Sequence, residues 1–257
     1  MKSKLALLSG LIAFILFNFA CQSAGPLAAV FATSTPTFTI TPTATSTSTP
    51  SPTPLPTGIQ FEEQSDQSIR VVDYDSGYIF LLSQDWIVLP GDADALKEAV
   101  EKLSVTNPEI TEMMEYISML DNQALRFMAF NKNKEYREGT LLTNLIALTI
   151  EDRLAGSLPM DLLVEINVEQ LKKNVSISNV LSYSNDINQN GVEYGYTQVE
   201  TTVIQAGQPE KAHQNIVLIK NDSSMTLFNL TLPFSKKEIG GLLVQDFIAS
   251  IELVDGK

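Results

Sequence analysis

The sequence predicts an α+β fold, a mostly antiparallel β-sheet flanked by helices, preceded by a disordered stalk. Three observations lead there. The composition breaks near residue 60, since residues 1–60 contain no Asp or Glu and only two basic residues, Lys2 and Lys4. Beyond the break, short β-branched and aromatic runs alternate with turn residues at hairpin spacing. Between them lie a few segments of 3.6-residue periodicity, the last with start signals of its own.

The N-terminus reads as an address. Lys2 and Lys4 precede a 16-residue apolar run, residues 5–20, and Cys21 follows at once. Charge, apolar run and small residue in that order mark a secretory signal, assigned to residues 1–20. Cys21 resembles the cysteine of a bacterial lipobox, which becomes the acylated N-terminus. Ala20 fits that motif, whereas Asn18 and Phe19 stand where Leu and a small or β-branched residue are usual. Two other outcomes stay open. Cleavage could fall after Ala32, or the apolar run, which resumes at residues 26–32, could persist as an anchor, for which about 20 apolar residues suffice. Each places the rest of the chain outside the cytoplasm, because the positive end stays inside, and the lipid-anchored form expected here holds it at the outer face of the cell membrane.

Residues 21–60 read as a tether. From Thr33 to Thr49 every odd residue is Thr, and Pro36, Pro42, Pro50, Pro52, Pro54 and Pro56 punctuate the run. The alternation mimics a strand. However, its partners are mostly Ser, Pro and Ala, which bury little, and proline removes ladder donors. Polyproline II character would carry the 36 residues 22–57 over roughly 110 Å at about 3.1 Å per residue.

Residues 61–257 form the expected domain. Strands are predicted at 68–74, 78–82 and 86–89, the last stopped by Pro90. Leu96, Ala99, Val100 and Leu103 then repeat at helical spacing behind Asp92 or Asp94 as cap. Asn107 and Pro108 suit the first positions of a second helix, with Ile110, Met113, Met114, Ile117 and Leu120 on one face. Strands at 125–130 and 144–150 flank a charged loop, 131–139. Pro159 opens a third helix to about residue 173, with Leu163, Val164, Val168 and Leu171 inward. Strands at 178–184, 192–203, 213–220 and 225–232 follow, and Asn190-Gly191 is the strongest hairpin signal. In the last helix, Ser235-Lys236-Lys237-Glu238 reads as a capping box, Phe234 and Ile239 as a staple, and Ile239, Leu243, Phe247 and Ile251 as the buried face. Gly240 and Gly241 weaken that helix by roughly 1 kcal/mol each relative to Ala.

The order of these elements resembles a known family. The residues that carry the likeness are Gly77-Tyr78-Ile79-Phe80 with Trp86, the hairpins with their Asn-Gly turn, Met225-Thr226-Leu227-Phe228, and a closing helix after Pro233-Phe234-Ser235. Together they resemble the PsbP-like α/β/α sandwich over residues 70–252. The resemblance implies a binding or assembly module rather than an enzyme, and it transfers no functional residue.

Charge and residue inventory exclude several functions. All 30 acidic residues lie beyond residue 60 against 15 basic ones, a net charge of −15 for that region. Nucleic acid and anionic lipid surfaces need the opposite sign. Cys21 is the only cysteine and His213 the only histidine. The domain therefore has no disulfide, no cysteine nucleophile and no usual transition-metal ligand set.

The remaining motifs have simpler explanations. Asp186-Ile187-Asn188-Gln189-Asn190-Gly191 matches half of a calcium loop, but Thr197 stands where the bidentate Glu belongs, and a hairpin turn explains the same residues. His213 reads as a surface histidine, because no G-x-S-x-G or S-x-x-K accompanies it. Glu62-Glu63 and Glu151-Asp152 are adjacent acids of the kind that arise by chance. Trp86 and Met113, Met114, Met119 and Met128 read as core filling.

The expectation is thus a membrane-tethered extracytoplasmic binding or adaptor domain that engages another envelope protein and is not an enzyme. No catalytic, cofactor-binding or metal residue and no cofactor is assigned, and Cys21 is the lipidation site. A small-ligand carrier with a pocket between sheet and helices is the alternative, and a hydrolase built from scattered residues stands behind both.

Overall fold

A computed structural model describes residues 56–92, 96–99, 101, 124–139, 141–150, 153–174, 176–205 and 208–254. The signal segment, Cys21, the tether to residue 55, the helix expected from Asn107, Met113, Met114, Met119, Glu151 and Asp152 lie outside the described residues.

The chain opens as an antiparallel meander, β1 (Ile59–Glu63), β2 (Ile69–Asp73) and β3 (Tyr78–Leu82). Next come β4 (Trp86–Pro90), β5 (Leu125–Asn131), the short pair β6 (Arg137–Glu138) and β7 (Leu141–Leu142), and β8 (Asn144–Ile150). Helices α1 (Arg153–Ser157) and α2 (Met160–Leu171) lead into the long hairpin of β9 (Ile177–Ile187) and β10 (Glu193–Gln205). β11 (Gln208–Lys220), β12 (Met225–Pro233), α3 (Lys237–Ser250) and β13 (Glu252–Leu253) follow. One sheet has the order β1-β2-β3-β13, and the larger has β4-β5-β8-β12-β11-β10-β9.

Side-chain alternation along the strands divides the larger sheet into two apolar faces. Phe127, Ala129, Leu145, Ala147, Val217, Ile219, Phe228 and Leu230 look toward the smaller sheet and α3, meeting Tyr78, Phe80, Val244 and Phe247. Phe80 packs edge-on against Phe228 and Phe247, with ring centroids at 5.6 and 5.1 Å, the favoured geometry for aromatic quadrupoles. On the opposite face Ile216 and Leu218 receive Met160, Leu163, Val164 and Val168 of α2. Farther along that face Leu89, Met128, Phe130 and Ile146 pack with Leu96 from the helical residues 96–99. The expected antiparallel sheet flanked by helices is what the chain builds, with the small sheet sharing one flank.

A buried ion pair ties the two sheets together. Asp73 of β2 is fully buried and accepts from Arg126 of β5 through Nε and Nη2, both at 2.7 Å. The Tyr78 hydroxyl and the backbone N–H groups of Asp75 and Ser76 also donate to it. Burial and the neighbouring Asp73 charge push the Tyr78 hydroxyl well above the usual tyrosine range.

Several expectations change. β1 begins at Ile59, inside the segment read as tether; it is half-exposed, so its apolar alternation is weak. Pro90 belongs to β4 and pairs with Phe127. β4 is an edge strand, where a missing N–H costs no ladder bond. The capping box does not form. A 3₁₀ turn, Phe234–Lys236, precedes α3, whose N-cap is Lys236 without a side-chain cap bond. Ser235 instead donates its hydroxyl to Glu138. The buried face of α3 is Gly240, Val244, Phe247 and Ile248, offset from the expected one. Gly240 explains the offset, since a Cβ there would lie 2.3 Å from Leu232 Cδ1. Close approach therefore requires a glycine at 240, whereas Gly241 faces open space.

Candidate functional site

The β9–β10–β11 end of the larger sheet is where polar chemistry and unused backbone collect. β9 is the outermost strand there, paired with β10 on one side. Its 11 residues are almost all exposed, including Tyr183 (54%) and Ile187 (63%). Register shifts interrupt the ladder between Gln198 and Val199 and between Glu200 and Thr201, which leaves residues 182–187 as its regular stretch. The Asn188 N–H bonds to Val192 O. By antiparallel alternation, the backbone groups of Ile187, Asn185 and Tyr183 then point away from β10; the Ile187 N–H donates to Asp186 Oδ1 at 2.8 Å, which leaves the outward N–H groups of Asn185 and Tyr183.

Directly opposed residues share a face, so β10 places Tyr194, Tyr196 and Gln198 beside Asp186, Ser184 and Ser182. A hydrogen-bond chain runs inward from that edge. Ser182 donates to Gln198 Oε1 at 2.7 Å, Gln198 Nε2 donates to Asn215 Oδ1 at 3.1 Å, and the Tyr196 hydroxyl donates to the same oxygen at 2.6 Å. Burial pushes the Tyr196 hydroxyl up to about 12. At the inner end the Asn215 Nδ2 and both ring nitrogens of His213 have no hydrogen-bond partner among the described residues. Both side chains are buried.

His213 is therefore not the surface residue its sequence context suggested. It alternates with Asn215, Val217 and Ile219 on the face covered by α3, and Leu232 stands opposite it on β12. Burial lowers its pKa, and Lys237 pushes the same way, against Asn215 and Glu200.

The half-calcium motif has another occupation. Asn188 Nδ2 donates to the carbonyls of Ile248 and Ile251, both at 2.8 Å. Asn190 Nδ2 donates to those of Ala249 and Ile251, and Gln189 Nε2 to that of Ala249. These amides tie down the carbonyls at the end of α3, where a helix runs out of backbone donors; the Ile248 carbonyl also accepts from the Ile251 N–H. Gly191 has φ of +80°, the left-handed region that glycine tolerates. Among the described residues no group of three His, Cys, Asp or Glu side chains could hold a metal ion. Glu62 pairs with Arg70 at 2.8 Å, while Trp86 and Met128 lie in the core. None of the described helices is long and apolar enough to cross a membrane.

The exposed edge escaped the sequence reading, although one signal was there. Residues 174–210 contain Asp186, Glu193, Glu200 and Glu210 and no Lys or Arg.

No protein-family model matches the chain, and no curated protein sequence matches it. Among solved structures it is similar to cyanobacterial PsbP (CyanoP) from Synechocystis sp. PCC 6803, with 12% identity over 72% of this chain and 91% of that one and a TM-score of 0.43. It is also similar to LpqN, described as involved in cell envelope biogenesis of Mycobacterium tuberculosis. There the identity is 11% over 73% of this chain and 91% of that one, with a TM-score of 0.41. The first belongs to the group that the sequence resembles. Identities and TM-scores this low carry no activity, partner or location over to this chain.

Proposed function

We propose that this chain is an extracytoplasmic binding module, held at the outer face of a membrane by its N-terminus, that engages an extended segment of another envelope protein along β9. One observation carries the reading: residues 182–187 form a regular, exposed strand edge with the backbone carbonyls of Tyr183, Asn185 and Ile187 and the N–H groups of Tyr183 and Asn185 pointing outward. Such an edge is a template for strand addition, with main-chain bonds for affinity and alternate side chains for specificity. The N-terminal charge, apolar run and Cys21, followed by the Thr- and Pro-rich tether, suit a domain displayed at a distance from the membrane. In this reading the protein is an adaptor and not an enzyme. The test is in-cell photo-cross-linking of the tagged full-length chain with the reactive group at position 183. One dominant protein partner is expected. Capture of the same partner from a position on α2 but not from 183 overturns the edge reading.

A small-ligand carrier is the second reading, favoured by the buried, unpartnered nitrogens of His213 and Asn215. It requires native mass spectrometry of the purified chain to show a released small molecule that is lost in Asn215→Leu.

A further inference from the structure

The charge and register around β9 specify its partner more closely than an extended segment, and this step rests on the binding reading above. Free strand edges are normally protected by lysine, by proline or by bulges. The outer strand here has neither lysine nor proline, and its register irregularities lie on the N-terminal side of Ser182. Asp186 is the one charged residue of that strand, and its carboxylate takes the outward Ile187 N–H at 2.8 Å, so the unprotected outward donors are those of Tyr183 and Asn185.

The hairpin itself carries charges of one sign, and Lys172 at the end of α2, within electrostatic reach of Tyr183, is paired with Glu169 at 2.9 Å. No Lys or Arg occurs between Lys173 and Lys211, whereas Asp186, Glu193 and Glu200 all belong to the hairpin. Asp186 stands directly across from Tyr194, and burial together with that carboxylate raises the Tyr194 pKa. A cation above this pair meets a carboxylate and an aromatic ring together, each attractive to it. A second copy of this chain would bring another acidic hairpin to the same edge, where like charges directly opposite destabilise pairing.

We propose that residues 182–187 accept, as an added strand, a basic extended segment of another protein, with a Lys or Arg side chain of that segment over Asp186 and Tyr194.

Fluorescence anisotropy on the full-length chain in neutral-lipid nanodiscs tests this with three labelled decapeptides. One alternates Lys and Val, one alternates Glu and Val, and one is the Lys peptide N-methylated at alternate residues. The Lys peptide is expected to bind, to weaken as salt rises, and to bind far better than the other two. Asp186→Asn is expected to weaken it by about two- to fivefold, the size of an exposed charge pair. Asn185→Pro removes an outward N–H without touching the β10 ladder and is expected to abolish binding; Asn185→Lys, which keeps the backbone intact, is expected to weaken it as well. Equal binding of the Glu peptide overturns the basic class and leaves strand addition standing. Binding that survives both N-methylation and Asn185→Pro overturns strand addition itself. If the Lys peptide does not bind while cross-linking from position 183 still captures a partner, the charge inference fails and the adaptor reading stands.

Discussion

Replacing Asp73 with Ala should cost this domain about 3 kcal/mol. The carboxylate is fully buried and accepts five hydrogen bonds, two from Arg126, one from Tyr78 and two from backbone N–H groups. Removing one partner of a buried ion pair typically costs 3–5 kcal/mol, because the other charge stays behind unpaired. Two features place the value at the lower end. The Arg126 side chain is 19% exposed, and its Nη2 keeps Asp75 at 3.0 Å. For a domain of this size roughly 2–4 °C of Tm accompany each kcal/mol, so the expected loss is about 6–12 °C. Differential scanning calorimetry of the full-length chain, with urea unfolding alongside, measures it. The double variant Asp73→Leu, Arg126→Met should recover most of the loss, because well-packed apolar side chains replace a buried pair at little cost. A single-variant loss below about 1 kcal/mol, or a double variant worse than the single, refutes the argument that the pair is what ties β2 to β5.

Three further outcomes follow from the packing. His213 is neutral and buried with a lowered pKa, so the unfolded chain binds its proton first as pH falls. Its contribution is present above the unfolded value of about 6.5 and is lost as pH drops from there toward the folded value; His213→Gln should flatten that part of the urea-midpoint profile, and an unchanged profile contradicts the assignment. Gly240→Ala should destabilise by about 1–2 kcal/mol, as an overpacking penalty of about 1–3 kcal/mol exceeds the helix-propensity gain, because Leu232 is fully buried and cannot yield. Gly241→Ala, in open space, should raise Tm instead, and the same sign for both glycines refutes the packing account. Asn188→Ala removes two bonds to the end of α3 together with the oxygen that accepts from the Asn190 and Val192 N–H groups, and should cost about 1–3 kcal/mol, with faster amide exchange confined to residues 190–192 and 245–253; uniform exchange across the domain counts against a capping role.

Much of the fold was legible because it depends on local pattern. Tyr78-Ile79-Phe80-Leu81-Leu82 and Asn144–Ile150 announce strands by β-branched and aromatic content, and both lie within a residue of where they were expected. The helix behind Pro159 likewise follows from period and a fixed φ. Asn190-Gly191 marked the β9–β10 turn because Gly191 needs positive φ. The capping box was misread for a tertiary reason. Ser235 has two places to send its hydroxyl, and the sequence shows only the near one, while Glu138 arrives from 97 residues away. The calcium-like motif is similar, as its asparagines are claimed by helix carbonyls about 60 residues along the chain.

By itself, the sequence determined the composition break at residue 60, the excess negative charge beyond it, the order of most strands and helices, and the absence of a cysteine or second histidine from the domain. Each follows from residue identity or short-range periodicity. Only the tertiary structure decided which strand lies outermost, that the His213 ring is buried with no hydrogen-bond partner for its nitrogens among the described residues, and that Gly240 rather than Gly241 faces Leu232. The candidate docking edge belongs to this second group. A strand looks the same in sequence whether one neighbour pairs with it or two, because pairing is a relation between distant segments and leaves no local mark.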